Sequence, residues 1–205
     1  YIWSNASTDS SIAITATGEY SITATNAAGC TAQVSTSVQI NALPVATVTA
    51  SGATTFCAGG SVTLTAPAGM TYAWSTGEPT QAITASTSGS YTVTITNANG
   101  CSTTSAITSV VVNALPVASI TSLNGNVFCQ GGSVTLVASS GSAYAWSNGA
   151  FTQSTTVSST QTLTVTVTNT DGCSSTSAPF TVTMNAAPTT TITANGPTTF
   201  CAGGS

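Results

Sequence analysis

The sequence predicts an all-β chain, a tandem array of small antiparallel β-sandwiches. Three observations predict it. The same phrases return at a fixed interval, short β-branched segments alternate with Thr or Ser, and no stretch carries a helical period.

The interval is the strongest of the three. Cys57, Cys129 and Cys201 are spaced 72 residues apart. "YIWS", "YAWS" and "YAWS" place Trp3, Trp74 and Trp146, while "TNAAGC", "TNANGC" and "TNTDGC" end on Cys30, Cys101 and Cys173. Inside a repeat the steps are 17 from Cys57 to Trp74, 17 to Tyr91 and 10 to Cys101, and they recur through Cys129, Trp146, Leu163 and Cys173. "NALP", "NALP" and "NAAP" begin at 41, 113 and 185. Their proline stiffens a junction and cannot extend a central strand, so it marks the boundaries. The expected domains are a partial repeat at 1–42 without its first strands, complete repeats at 43–114 and 115–186, and the first-strand region of another at 187–205.

Ser205 matches Ser61 and Tyr1 matches Tyr72. The expectation is therefore a window on a longer array. The alternative is a protomer whose split repeats are completed by neighbouring copies through strand addition.

Within the repeat at 43–114, strands are expected at 61–66, 71–75, 81–85, 90–96 and 106–112. Each is short, and most alternate apolar residues with Thr or Ser, as a half-buried strand does. "LTVTVT" at 163–168 shows the pattern cleanly, with Leu163, Val165 and Val167 on one face and three threonines on the other. "NANG" and "NTDG" supply the residues a hairpin turn requires. The predicted core holds Val62, Leu64, Trp74, Ile83, Tyr91, Val93, Ile95, Val110 and Val112, with Trp3, Trp146, Tyr20 and Leu163 as the equivalent anchors in the other repeats.

Composition narrows the chemistry. There is no Lys, Arg or His, and the only acids are Asp9, Glu19, Glu78 and Asp171, giving a net charge of −4. Polarity is carried by 30 Ser and 44 Thr. Without cations the chain cannot neutralise phosphates, so nucleic acid is not an expected partner. No apolar run approaches the roughly 18–20 residues of a membrane-spanning helix.

Six cysteines without a histidine point to disulfides and an oxidising, extracellular setting. Two schemes fit the spacing. Bonds within repeats would be Cys57–Cys101 and Cys129–Cys173, leaving Cys30 and Cys201 to partners outside this sequence. Bonds across boundaries would be Cys30–Cys57, Cys101–Cys129 and Cys173–Cys201. The first scheme is expected, because a whole first strand separates Cys57 from the junction after Cys30. A staple closing the Cys57–Cys101 loop would contribute roughly 3–4 kcal/mol to so small a domain.

"CAGGSVTLTA", "YAWSTG" and "SGSYTVTITNANGC" resemble the Ig-like and PKD-like repeats of very large secreted or surface proteins of Bacteroidetes-type bacteria. The resemblance implies Ig-like sandwiches and a place in adhesins, surface filaments or extracellular fibres. The chain departs from the pattern at Leu163, where a Tyr is replaced, and in its lack of basic residues.

Candidate sites are few. The four acids do not recur in register, whereas calcium at each junction would require several oxygen ligands that do. No base is present to activate Ser or Thr, so neither a catalytic residue nor a cofactor or metal site is expected and the chain does not read as an enzyme. "CAGGS" lacks the lysine of a phosphate loop and reads as a turn feeding a strand. The tryptophans could stack on sugars in a carbohydrate- or surface-binding module, but a buried sandwich tryptophan is the expected role. The threonine rows either simply suit an exposed strand face or carry covalent glycans that would solubilise a nearly uncharged surface, with Asn5 in the "NAS" sequon and Thr92, Thr94, Thr96, Thr164, Thr166 and Thr168 as candidates. The remaining expected partners are neighbouring repeats or neighbouring copies, which would cover sheet edges that carry no Lys. The sequence reading is thus a structural region of an extracellular filament or adhesin stalk.

Overall fold

A computed structural model describes residues 1–199 and 201–203. Among these the secondary structure is entirely β-strand, in 21 segments. The chain divides into two compact units, one of residues 1–56 with 60–111, the other of residues 57–59 with 112–205.

The first unit opens with a single sheet of β1 (Ile2–Trp3), β2 (Gly18–Thr25) and β3 (Thr31–Val38) in the order β1-β2-β3. β2 and β3 form a long antiparallel hairpin running from the Gly18–Val38 pair to the Thr25–Thr31 pair. No second sheet arises within residues 1–42 to face this one, so Trp3 and Tyr20 are only half-buried.

Next come β4 (Thr49–Ala50), β5 (Thr55–Cys57), β6 (Val62–Thr65), β7 (Thr71–Trp74), β8 (Ala82–Ala85), β9 (Gly89–Tyr91), β10 (Val93–Thr96), β11 (Ser102–Thr104) and β12 (Thr108–Asn113). They form sheets in the orders β4-β6-β8, β7-β10-β11 and β5-β12-β9. Val62, Leu64, Trp74, Ile83, Tyr91, Val93, Ile95 and Val110 are buried, whereas Val112 is half-buried. The alternation comes directly from the strand period of two: in β6 and β10 every second residue is buried and the intervening threonines are not.

The second unit repeats the plan with β13 (Ile120–Ser122), β14 (Val127–Cys129), β15 (Val134–Ala138), β16 (Ala143–Trp146), β17 (Ser154–Val157), β18 (Gln161–Leu163), β19 (Val165–Thr168), β20 (Ser174–Thr176) and β21 (Phe180–Asn185). Its sheets run β13-β15-β17, β16-β19-β20 and β14-β21-β18. One apolar cluster joins Val134, Leu136 and Ala138 to Trp146, Val157, Leu163, Val165, Val167 and Val182.

This order is that of an Ig-like sandwich. Numbered as in such sandwiches, with no strand in the fourth position, β13–β14 are the first strand, β15 the second, β16 the third, β17 the fifth, β18–β19 the sixth and β20–β21 the seventh. β13, β15 and β17 share one sheet and β16, β19 and β20 another, with a buried tryptophan on β16. The first strand is split, and its second half, β14, leaves its sheet to pair in parallel with β21, from Val127–Thr183 to Cys129–Asn185. Tyr91, at the start of the sixth strand, donates its hydroxyl hydrogen bond to Thr87 O at 3.0 Å, the corner by which such sandwiches fasten that strand. Tyr20 does the same to Ala16 O at 2.8 Å, while Leu163 fills the place with apolar bulk alone.

The five expected strands are present with slightly different bounds. Three short ones had no sequence signature, β4, β5 and β11, and the expected strand at 90–96 is broken into β9 and β10. "TFC" and "STT" are too short to display a period, and they are strands because a neighbour pairs with them.

The expected disulfides are corrected. Cys57 bonds Cys173, a sequence separation of 116, and Cys30, Cys101, Cys129 and Cys201 are free thiols. Neither spacing scheme contains this pair. The reason is the seventh strand. Cys173 immediately precedes β20, whereas Cys129 lies beside Asn185, the last residue of β21. Eleven residues of extended chain, roughly 30–40 Å, separate those points, far beyond the ~7 Å a disulfide allows between Cα atoms. Cys57 and Cys101 are related in the same way, with Ala58 N bonded to Asn113 O at 2.8 Å and Cys101 adjoining β11.

Candidate functional site

The arrangement with the most built-in structure is the turn that carries each second cysteine. In "NANGC", Gly100 N donates to Asn97 O and Asn97 N to Cys101 O, each at 3.0 Å. Gly100 has φ 79°, so this is a three-residue hairpin loop closed by a left-handed residue, which glycine occupies without steric cost.

Asn97 clamps the turn with its side chain. Its Oδ1 accepts from Asn99 N and Cys101 N at 3.0 Å, and its Nδ2 donates to Ala42 O at 3.0 Å. Asn169 repeats all three contacts, with Asp171 N at 3.0 Å, Cys173 N at 2.9 Å and Ala114 O at 2.9 Å. A turn within one repeat thus holds the chain where that repeat begins. The cysteine sulfurs follow: Cys101 Sγ lies 3.8 Å from Asn41 O and Cys173 Sγ 4.0 Å from Asn113 O. The sequence expectation placed these asparagines in the hairpin turns of "NANG" and "NTDG" but not their reach to Ala42 and Ala114.

The disulfide completes the second of these turns. Cys57 ends the short β5, and Asn113 O accepts from Ala58 N while lying against Cys173 Sγ. Asn113 therefore stands between the two halves of the bond. Cys173 is fully buried and Cys101 is half-buried.

The tryptophans are not presented as a ligand face. Trp74 and Trp146 are each 4% exposed, and their Nε1 atoms donate to Thr80 O and Thr152 O at 2.8 Å. Trp3 makes the same bond to Asp9 O at 2.9 Å but remains half-buried. Each tryptophan also begins a turn of its own. Gly77 and Gly149 take the left-handed position there, and in the first sheet Ala6 does, at φ 66°.

The threonine rows form hydroxyl ladders. Thr94 pairs with Thr104 and Thr96 with Ser102, both at 2.8 Å. Thr166 pairs with Thr176 at 2.9 Å and Thr168 with Ser174 at 2.8 Å. Thr92, Thr94, Thr96, Thr164, Thr166 and Thr168 are all half-buried, and Asn5 is exposed with its Oδ1 accepting from Ser7 N. The acids are dispersed: Glu19 accepts from Ser35 Oγ at 2.7 Å and Asp9 from Ser7 Oγ at 3.0 Å. Among the described residues no three metal-ligating side chains cluster, and no helix is long and apolar enough to cross a membrane.

The fold therefore defines a chain of Ig-like β-sandwiches. No family model matches it, and no curated protein matches it. Among solved structures it is similar to three N-terminal domains of the highly immunogenic outer capsid protein of bacteriophage RB49, at 21% identity over 68% of this chain and 59% of that one, TM-score 0.34. It is also similar to the fibronectin(III)-like modules of Clostridium thermocellum CbhA, at 16% identity over 67% and 93%, TM-score 0.35. Murine CEACAM1b gives 14% identity over 69% and 100%, TM-score 0.33. The chain spans less than two thirds of the phage structure's length. Overlaps of this extent add nothing to the assignment, which rests on the strand order and the buried tryptophan.

Proposed function

We propose that this chain is a structural, load-bearing repeat region of an extracellular filament or adhesin stalk, with domains at 1–42, 43–114, 115–186 and 187–205. The observation that carries the reading is Cys57–Cys173, which covalently joins cysteines of consecutive sequence repeats. A tether spanning 116 residues keeps all of them from extending when the ends are pulled. The clamped Asn97 and Asn169 turns serve the same end, since they fix the backbone at Ala42 and Ala114.

An oxidising, extracellular location belongs to this proposal, because the tether would not persist in a reducing compartment. So do neighbouring repeats or copies as partners, and covalent glycans on Asn5 and the threonine rows. At Thr94, Thr96, Thr166 and Thr168 a glycosidic oxygen could still accept from the facing hydroxyl, so a glycan does not abolish the ladder. Nothing in the geometry favours a carbohydrate-binding tryptophan face.

Immunogold labelling of the native source with antibody to the chain tests the reading. Labels spaced along the length of extracellular fibres are expected. Labels confined to cell interiors, or only to points of contact with a surface, would overturn it in favour of another role or of a tip-borne binding module.

A further inference from the structure

The disulfide involves one pair of cysteines, yet both of its halves recur elsewhere. The Gly-Cys half is a cysteine sulfur held 3.8–4.0 Å from a junction asparagine carbonyl by a clamping asparagine four residues before it. The other half is a cysteine ending a short strand that runs beside the last residue of the seventh strand. At Cys57 this is fixed by Ala58 N to Asn113 O at 2.8 Å, and at Cys129 by Gln130 N to Asn185 O at 2.9 Å.

The three junction asparagines can therefore be compared. Asn113 carries both halves, and the bond is made. Asn41 carries only the Gly-Cys half, Cys101, and Asn185 only the strand half, Cys129. Both of those cysteines are free thiols.

We propose that Cys101 and Cys129 are preformed half-sites for covalent linkage to another repeat of this kind, under one serial rule. The strand cysteine of each repeat bonds the Gly-Cys cysteine of the repeat that follows. Cys129 then takes a Gly-Cys cysteine 116 residues further on, and Cys101 takes a strand cysteine from the repeat before it. Bonds within a repeat are excluded by the length of the seventh strand, and bonds between like cysteines by the position each holds at its junction. Every repeat is thereby bonded to the one before and the one after. Each linkage converts two thiols to one disulfide, and the two electrons and two protons pass to a small-molecule disulfide, which is reduced to two thiols. The rule goes beyond the proposed function and holds whatever the array is for.

Two measurements test it, both read by non-reducing peptide mapping after equilibration with oxidised and reduced glutathione. In the first, residues 115–186 are duplicated by inserting a second copy after Ala186. Cys57–Cys173 and a bond from Cys129 to the copied Cys173 are expected. A bond from Cys129 to the original Cys173, or a Cys129 that remains fully alkylatable in the folded protein, would overturn the rule. The second uses the chain with only Cys57→Ser. Cys173 and Cys129 are both expected as alkylatable thiols, although each has lost no opportunity to meet the other. A Cys129–Cys173 bond within a single copy, mapped on the monomer band of a non-reducing gel, would overturn the rule even if the lengthened chain failed to fold.

Discussion

Asn169 Nδ2 donates to Ala114 O at 2.9 Å across 55 residues of sequence, and Asn97 makes the same bond to Ala42 O at 3.0 Å. This contact secures the start of a sandwich to its sixth-to-seventh-strand turn. Its acceptor is a backbone carbonyl, so the pairing is independent of the side chain at 114.

Asn169→Asp separates the clamp's two tasks. The carboxylate can still accept from Asp171 N and Cys173 N, but it has no donor for Ala114 O and sets a negative oxygen against it. The expected loss is about 1–2 kcal/mol in denaturant unfolding, and Asn169→Ala, which removes all three bonds, should cost about 1–3 kcal/mol. Equal stabilities for wild type and the Asp variant would show that the Ala114 bond carries nothing.

Reduction should act on extension as well as on stability. Pulled from its termini, the oxidised chain should fall short of the reduced one by about 400 Å of contour length, at 3.3–3.6 Å per residue over the sequence separation of 116 between Cys57 and Cys173. Force spectroscopy with and without reductant reads this directly. In bulk, reduction should cost on the order of 4–5 kcal/mol in the loop-entropy model.

Ala6 holds a left-handed φ of 66° where the two matching turns use Gly77 and Gly149. Ala6→Gly should stabilise the first unit by about 1 kcal/mol, and Gly149→Ala should destabilise the second by a similar amount. Thermal unfolding of the two variants should shift in opposite directions.

Thr103 Oγ1 is buried without a hydrogen-bond partner. Thr103→Val keeps the shape and removes the unsatisfied hydroxyl, so stability should be unchanged or rise by about 1 kcal/mol. A clear loss, measured by urea midpoint, would mean that the hydroxyl is solvated.

A side chain at Gly141 has no room. A Cβ there would collide with Val167 Cγ1 and meet Thr168 O at 2.9 Å. Gly141→Ala should therefore cost about 1–3 kcal/mol by forcing core or backbone displacement. The matched substitution at Gly52, where nothing approaches within 4 Å, should cost far less.

Much of this architecture was legible in the chain itself. The repeat is a matter of identity at fixed spacing, and a strand's inner face is a matter of every second residue, so Leu64, Val93, Ile95 and Trp74 could be assigned to the core without coordinates. The Gly-Cys turns are similarly local, since a left-handed position three residues after an asparagine is a backbone requirement that Gly100 and Gly172 announce. What only the tertiary structure decided was which cysteine meets which. The spacing of 17, 17 and 10 is the same under every pairing scheme. The outcome turned on two non-local facts: a three-residue strand that leaves its sheet to run parallel to the last one, and a seventh strand long enough to hold the two cysteines of a repeat at opposite ends. Neither leaves a periodic trace in the residues involved, because pairing with a partner distant in sequence, rather than propensity, makes "TFC" and "VFC" strands.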